Sequence, residues 1–198
     1  MATDSSDREG LQKVNVKIPL EAPGDFNYAI VLDIFGRWRL EEGEEIIDLA
    51  DYLHVPDGPG CLLVSQRWHF GIDLGDGRPG LFFSSRKGLQ GPMDARFRQV
   101  IRSCLEKGKR LLAESEIPGS VRPRLDEIDI VVNDRVLAPN TQEVDELLTP
   151  AIRAALDRLY GEGGYDLRRE EDPALRAGYF VRAKTADGLT FDGLLERL

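Results

Sequence analysis

Along this chain, apolar positions recur with two different periods, and the places where the period changes divide it into elements. Val14, Val16 and Ile18 alternate with Asn15 and Lys17, the signature of a strand with one wet face, which Pro19 and the Pro23-Gly24-Asp25 turn should end. Phe26 to Trp38 is apolar almost all round and reads as a buried helix, although its Val and Ile content also suits a strand. Ile46 to Val55 fits either period. Its shortness and the Val-Pro-Asp-Gly-Pro-Gly that ends it favour a strand.

Leu62, Val64, Trp68, Phe70, Ile72 and Leu74 then predict one strand with Ser65, Arg67, His69 and Asp73 on its other face. After Gly75-Asp76-Gly77 the chain returns through Leu81-Phe82-Phe83, so an antiparallel meander of three strands is expected. The clearest helix is 92–114, where Met93, Phe97, Val100, Ile101, Cys104, Leu105, Gly108, Leu111 and Leu112 form one stripe. Gly108 on that stripe costs about 1 kcal/mol relative to Ala, which a close approach to a sheet would offset.

Ile128, Ile130 and Val132 alternate as a strand, and Asn133-Asp134 offers a tight turn into Val136 and Leu137. Asn140, with Glu143 three residues on, reads as the cap of a last major helix, which Pro150 should kink or split after Thr149. Short strands follow at 165–169 and 179–183. Residues 1–12 read as a polar tail, 13–185 as a single domain, and 186–198 as an amphipathic tail that docks on the core or on another copy.

The fold class implied is α+β: an antiparallel or mixed sheet with helices on one face. Strand–helix–strand–strand occurs twice, so a duplicated ferredoxin-like (split βαβ) arrangement is one form it could take. At 198 residues such a domain buries roughly 70% of its unfolded surface and needs no covalent staples. Cys61 and Cys104 sit inside apolar patterns and read as reduced core thiols. The polar start is unlike a secretory signal, and no apolar run approaches the ~20 residues that span a bilayer, so a cytoplasmic protein without membrane contact is expected.

Three stretches, DLADYLHVPDGPGCLLV (48–64), GRPGLFFSSRK (77–87) and NDRVLAPNT (133–141), resemble a family of uncharacterised bacterial proteins of about this length. The resemblance runs from Val14 to about Tyr160 and implies one cytoplasmic domain; it assigns no residue a function. Where that family carries a glutamate-containing run after the LLV strand, this chain has Gln66-Arg67-Trp68-His69.

Candidate chemistry gathers on the wet side of the meander: Asp48, Asp51, His54, Arg67, His69 and Asp73. A histidine titrates near neutrality and a carboxylate can orient it, which is the raw material of general base catalysis. Strand register decides which groups meet. If His54 pairs with Leu62, Asp51 faces Ser65; a one-residue slip sets Asp48 opposite His69. In neither register do the two histidines meet, and no metal site or cofactor is expected.

The formal net charge of −9 disfavours nucleic acid and anionic membranes as partners. Against it, residues 86–110 carry eight basic side chains and two acidic ones, a local +6 that includes Arg86, Arg96, Arg98 and Arg102. Such a helix face could receive an acidic partner, or simply be a solvated face paired with the acids at 143–146. Asn133 and Asp134 are further binding candidates.

Two functions follow. One is a non-catalytic protein-binding or assembly module, joined to another protein or to copies of itself. The other is a small hydrolase-like enzyme, with Asp48 or Asp51 and His69 as acid and base and an anionic substrate held by Arg67 and Arg86.

Overall fold

The computed structural model describes residues 10–198. The polar tail expected at 1–12 therefore falls mostly outside the described residues. The chain runs β1 (Val14–Glu21), α1 (Ala29–Glu42), β2 (Ile46–Tyr52), β3 (Gly60–Ser65), β4 (Trp68–Asp73), β5 (Gly80–Ser85), α2 (Met93–Leu112), β6 (Arg122–Pro123), β7 (Glu127–Val132), α3 (Gln142–Tyr160), β8 (Tyr165–Arg169), β9 (Ala177–Ala183) and α4 (Phe191–Arg197). All pairings are antiparallel, and the strands form one sheet in the order β2-β3-β4-β5-β1-β7-β9-β8, with β6 paired to the end of β1. The fold is α+β.

The first strand is the middle of the sheet, and its alternation divides the molecule into two faces. Val16 stands between Phe83 and Ile130 in the ladders, and all three are buried. On this side lie the helices: Phe35 and Trp38 of α1 pack against Phe70, and Cys104 of α2 lies over the backbone of Val16 and Leu81. Tyr179 reaches Asp145 of α3 through its hydroxyl at 3.0 Å. Gly108 is where α2 comes closest, since a β-carbon there would stand 2.5 Å from Leu81 Cδ1. The odd positions Asn15 and Lys17 face the other way, onto a side of the sheet that no helix among the described residues covers.

Several local expectations are corrected. β1 does not stop at Pro19 but runs on to Glu21. Proline is tolerated because the β7 ladder has already ended at Lys17–Asp129, and Leu20 donates instead to Pro79 O. The apolar run 62–74 is two strands, not one. Ser65 Oγ accepts from the amides of Arg67 and Trp68 at 3.1 and 3.2 Å, closing a turn that contains no glycine, proline or asparagine. The meander therefore has four strands, and Leu62 and Val64 face the open side with His69 while Trp68, Phe70 and Ile72 face the helices.

Residues 136–137 form no strand; Asp134 Oδ1 holds the amides of Val136 and Leu137 in a turn. Thr141, not Asn140, caps α3, accepting from Val144 N, and the helix continues through Pro150 to Tyr160. The C-terminal segment docks on this chain's own core: Leu194 is buried, Arg102 donates to Leu195 O and Arg197 to Leu159 O.

The two halves of the sheet are unequal. β7 and β8 are joined by α3 with β9 inserted between them, a split βαβ unit. β1 and β2 are joined by α1 with three strands between them. Among the described residues, no helix is long and apolar enough to cross a membrane.

Candidate functional site

The uncovered face is concave at its centre. A cleft of about 400 Å³ has a floor of Asn15 and Lys17 from β1, Phe82 from β5, Asp129 and Val131 from β7, and Gly178 and Phe180 from β9. Asp73, Asp76 and Arg78, around the β4–β5 connection, wall one end. Arg135, after β7, and Glu170, Leu175 and Arg176, from the β8–β9 connection, wall the other. The floor residues come from strands far apart in sequence, brought side by side because β1 pairs with both β5 and β7.

Most charge at the Asp73 end is already matched. The Lys17 ammonium pairs with Asp73 and donates to Gly75 O at 3.2 Å. Its aliphatic stem lies flat over Gly80, where a β-carbon would stand 2.8 Å from Lys17 Cγ and Cε. Arg78 donates to Glu127 at 2.9 Å and lies 3.5 Å from Asp129. Burial pushes the Asp129 carboxyl above its ordinary pKa, against the opposing pull of Arg78 and Lys17.

The other end is different. Arg135 and Arg176 are exposed and have no carboxylate partner among the described residues. On the floor, Asn15 Oδ1 is out of solvent with no hydrogen-bond donor among the described residues. The β8–β9 connection that carries Arg176 is anchored from behind. Asn140 Nδ2 donates to the carbonyls of Glu170 and Asp172 at 3.1 and 2.8 Å, and Arg169 donates to Asn140 Oδ1 at 3.0 Å.

Of the residues singled out from sequence, Asp73 alone lines the cleft, held by Lys17. Neither expected register occurs: Asp51 pairs with Cys61, Tyr52 with Gly60, and His54 lies exposed in the turn beyond. Asp48 and His69 both pair with Val64, so they share the open face about 10 Å apart, two strand spacings. Each carboxylate serves its own edge strand instead, Asp48 accepting from Leu49 N at 2.8 Å and Asp51 from Leu53 N at 2.9 Å. His69 is half-buried beside Ser84, and burial, then the charge of Arg86, lowers its pKa. Arg67 is exposed at the β3–β4 turn, 3.7 Å from Glu45.

The basic helix is largely neutralised within the chain, and by other acids than 143–146. Arg98 pairs with Asp94, Arg102 with Glu106, Lys109 with Asp192, and Arg110 with Glu41 and Glu42. Lys107 and Arg110 also cover the rings of Trp68 and Trp38, each 3.8 Å from the centroid. Arg96 donates to the carbonyls of Gly91 and Leu11. Arg86 is exposed at the end of β5. Asn133 donates its amide to Lys13 O, and Asp134 shapes the turn that presents Arg135.

Asn15 and Lys17 were legible only as wet positions on a strand, and Asp129 and Arg135 stood out in no pattern. The missing signal was adjacency, which a sheet order supplies and a local pattern does not. Comparison with protein-family models, with curated proteins and with solved structures finds no match for this chain.

Proposed function

We propose that this chain is a non-catalytic binding module that takes a short segment of a protein partner into the cleft on the open face of its sheet. The observation that carries this reading is the cleft's composition: the apolar side chains Phe82, Val131 and Phe180 in its floor, beside Arg135 and Arg176, which have no carboxylate partner among the described residues. Concave sites with an apolar lining and a few convergent polar groups are where ligands bind. The volume suits two or three residues, not a whole domain surface.

The basic helix supports this role less well, because five of its cations are already paired within the chain. An acid–base mechanism also has less support. His69 accepts from or donates to no carboxylate among the described residues, and Asp48, Asp51 and Asp73 are each engaged elsewhere.

Selection of a displayed random-peptide library against the immobilised protein tests the reading. Clones should be enriched on the native chain and lost on a Phe180→Asp variant, which puts a charge into the floor while Phe180 is only half-buried. Equal recovery from the two proteins would overturn it.

A further inference from the structure

The sheet ends in β2 on one side and β8 on the other, and the two edges are finished differently. β2 is bulged between Ile46 and Asp48, and Asp48 and Asp51 turn their carboxylates onto the amides of Leu49 and Leu53. Devices of this kind close an edge against further pairing. β8 has none of them. Its ladder with β9 runs without a bulge from Tyr165 to Arg169, and the strand contains no proline, glycine or lysine.

The direction of the free backbone groups of β8 follows from the bonds at its two ends. Lys184 N donates to Gly164 O at 2.9 Å, and Glu170 N donates to Gly178 O at 2.8 Å. Bonding alternates along an antiparallel ladder, so Asp166 and Arg168 bond to β9 as well. The N–H and C=O groups of Tyr165, Leu167 and Arg169 therefore point outward, and no strand among the described residues lies beyond them. The side chains of Asp166 and Arg168 stand on the open face, exposed and without an ion pair among the described residues. Arg168 rests its guanidinium over the Phe180 ring, 4.4 Å from the centroid.

We propose that β8 is a self-pairing edge, to which a second copy of this chain adds its own β8 antiparallel about a two-fold axis at Leu167. Outward groups must meet outward groups, so the registers that keep most of the strand paired centre on Asp166, Leu167 or Arg168. Centring on Asp166 sets that carboxylate against its own copy. Centring on Arg168 sets guanidinium against guanidinium. Centring on Leu167 sets Asp166 opposite the partner's Arg168, Arg168 opposite the partner's Asp166, and Leu167 against the partner's Leu167. It also sets Gly164, which has no side chain, opposite the partner's Glu170. Opposite charges directly across a ladder stabilise pairing and like charges oppose it, so the order of residues from Tyr165 to Arg169 selects one register with itself. β2 offers no such match, because it carries Asp48 and Asp51 and no basic residue.

An added strand extends the sheet in its own plane and does not cover its open face, so the pairing is independent of peptide binding in the cleft. A contact of one five-residue strand is small beside the ~1,200–2,000 Å² of stable complexes. The dimer should accordingly be populated at high protein concentration.

Sedimentation velocity of the full chain from about 1 µM to about 1 mM should show a monomer–dimer equilibrium. Asp166→Arg and Arg168→Asp each set like charges across the two-fold axis, and each should weaken the dimer about tenfold or more. Mixed in equal amounts, the two variants are complementary at both positions and should regain the association of the unaltered chain. That recovery separates a register chosen by charge from a variant that fails to fold. A chain that stays monomeric over the whole range would overturn the proposal. So would a dimer that either single variant leaves intact, which would put the contact on another surface, or a loss in the single variants that mixing does not restore.

Discussion

A β-carbon added at Gly71 would stand 1.9 Å from the carbonyl oxygen of Cys61 and 2.8 Å from Leu62 Cδ2. The carbonyl has no room to retreat, because β3 and β4 are held together by their ladder. Gly36, inside α1, would place its β-carbon more than 4 Å from any such neighbour. The same substitution should therefore act in opposite directions. Gly71→Ala should cost at least ~2 kcal/mol by forcing two strands apart, and Gly36→Ala should add about 0.5–1 kcal/mol of stability by helix propensity alone. Urea unfolding of the two variants checks the pair. A tolerated Gly71→Ala would mean that the central meander is looser than its ladder implies. Gly80 belongs with Gly71, since its missing side chain lets Lys17 cross to Asp73.

Neighbouring polar residues at the start of α3 do separate jobs. Thr141 is an exposed N-cap accepting from Val144 N. Asn140 is 5% exposed and spends its amide on the β8–β9 connection. Thr141→Ala should cost about 1 kcal/mol in thermal or chemical unfolding and leave peptide binding unchanged. Asn140→Ala releases two carbonyls and the Arg169 guanidinium from a buried position, so it should cost more, about 2 kcal/mol, and also weaken binding at the cleft by loosening the segment that carries Arg176. Binding data identical for the two variants would count against that anchoring role. A capping-box pattern in the sequence pointed to Asn140. The cap moved one residue on because the buried amide had stronger partners in β8–β9 than in its own helix.

For the whole molecule, β1 is the seam. It pairs with the meander on one side and with β7 on the other, while α2 lies across β1 and β5 and packs on α3. Without that strand β5 and β7 each lose one ladder and α2 loses part of the surface it covers, so unfolding should be a single cooperative transition. Native-state hydrogen exchange should find the slowest amides in β1, β5 and β7 and faster ones in the edge strands β2 and β8. Two separated transitions, or edge strands as protected as β1, would show that the halves are independent. Cooperativity also bears on the cleft, whose floor is drawn from both sides of the seam.

The α+β class, the helical stripe of α2, the close approach at Gly108 and the wet placement of His69 and Asp73 were all legible in local period, because burial on one face imposes alternation on a strand and a 3.6-residue stripe on a helix. Register and adjacency were not. A turn such as Ser65–Trp68, closed by one serine hydroxyl, leaves no mark in the hydrophobic pattern, yet it inverts the face on which Leu62 and Val64 lie. Charge told the same story: the +6 of residues 86–110 is a property of the sequence, whereas its neutralisation by Glu41, Glu42 and Asp192 comes from α4 packing on α2 and from the end of α1 reaching Arg110. The chain alone determined which side chains would be greasy and which wet. Only the order of the strands decided that Asn15, Asp129, Arg135 and Arg176 would line one cleft, since the side-by-side placement of residues up to 161 positions apart arises from long-range pairing that no local pattern encodes.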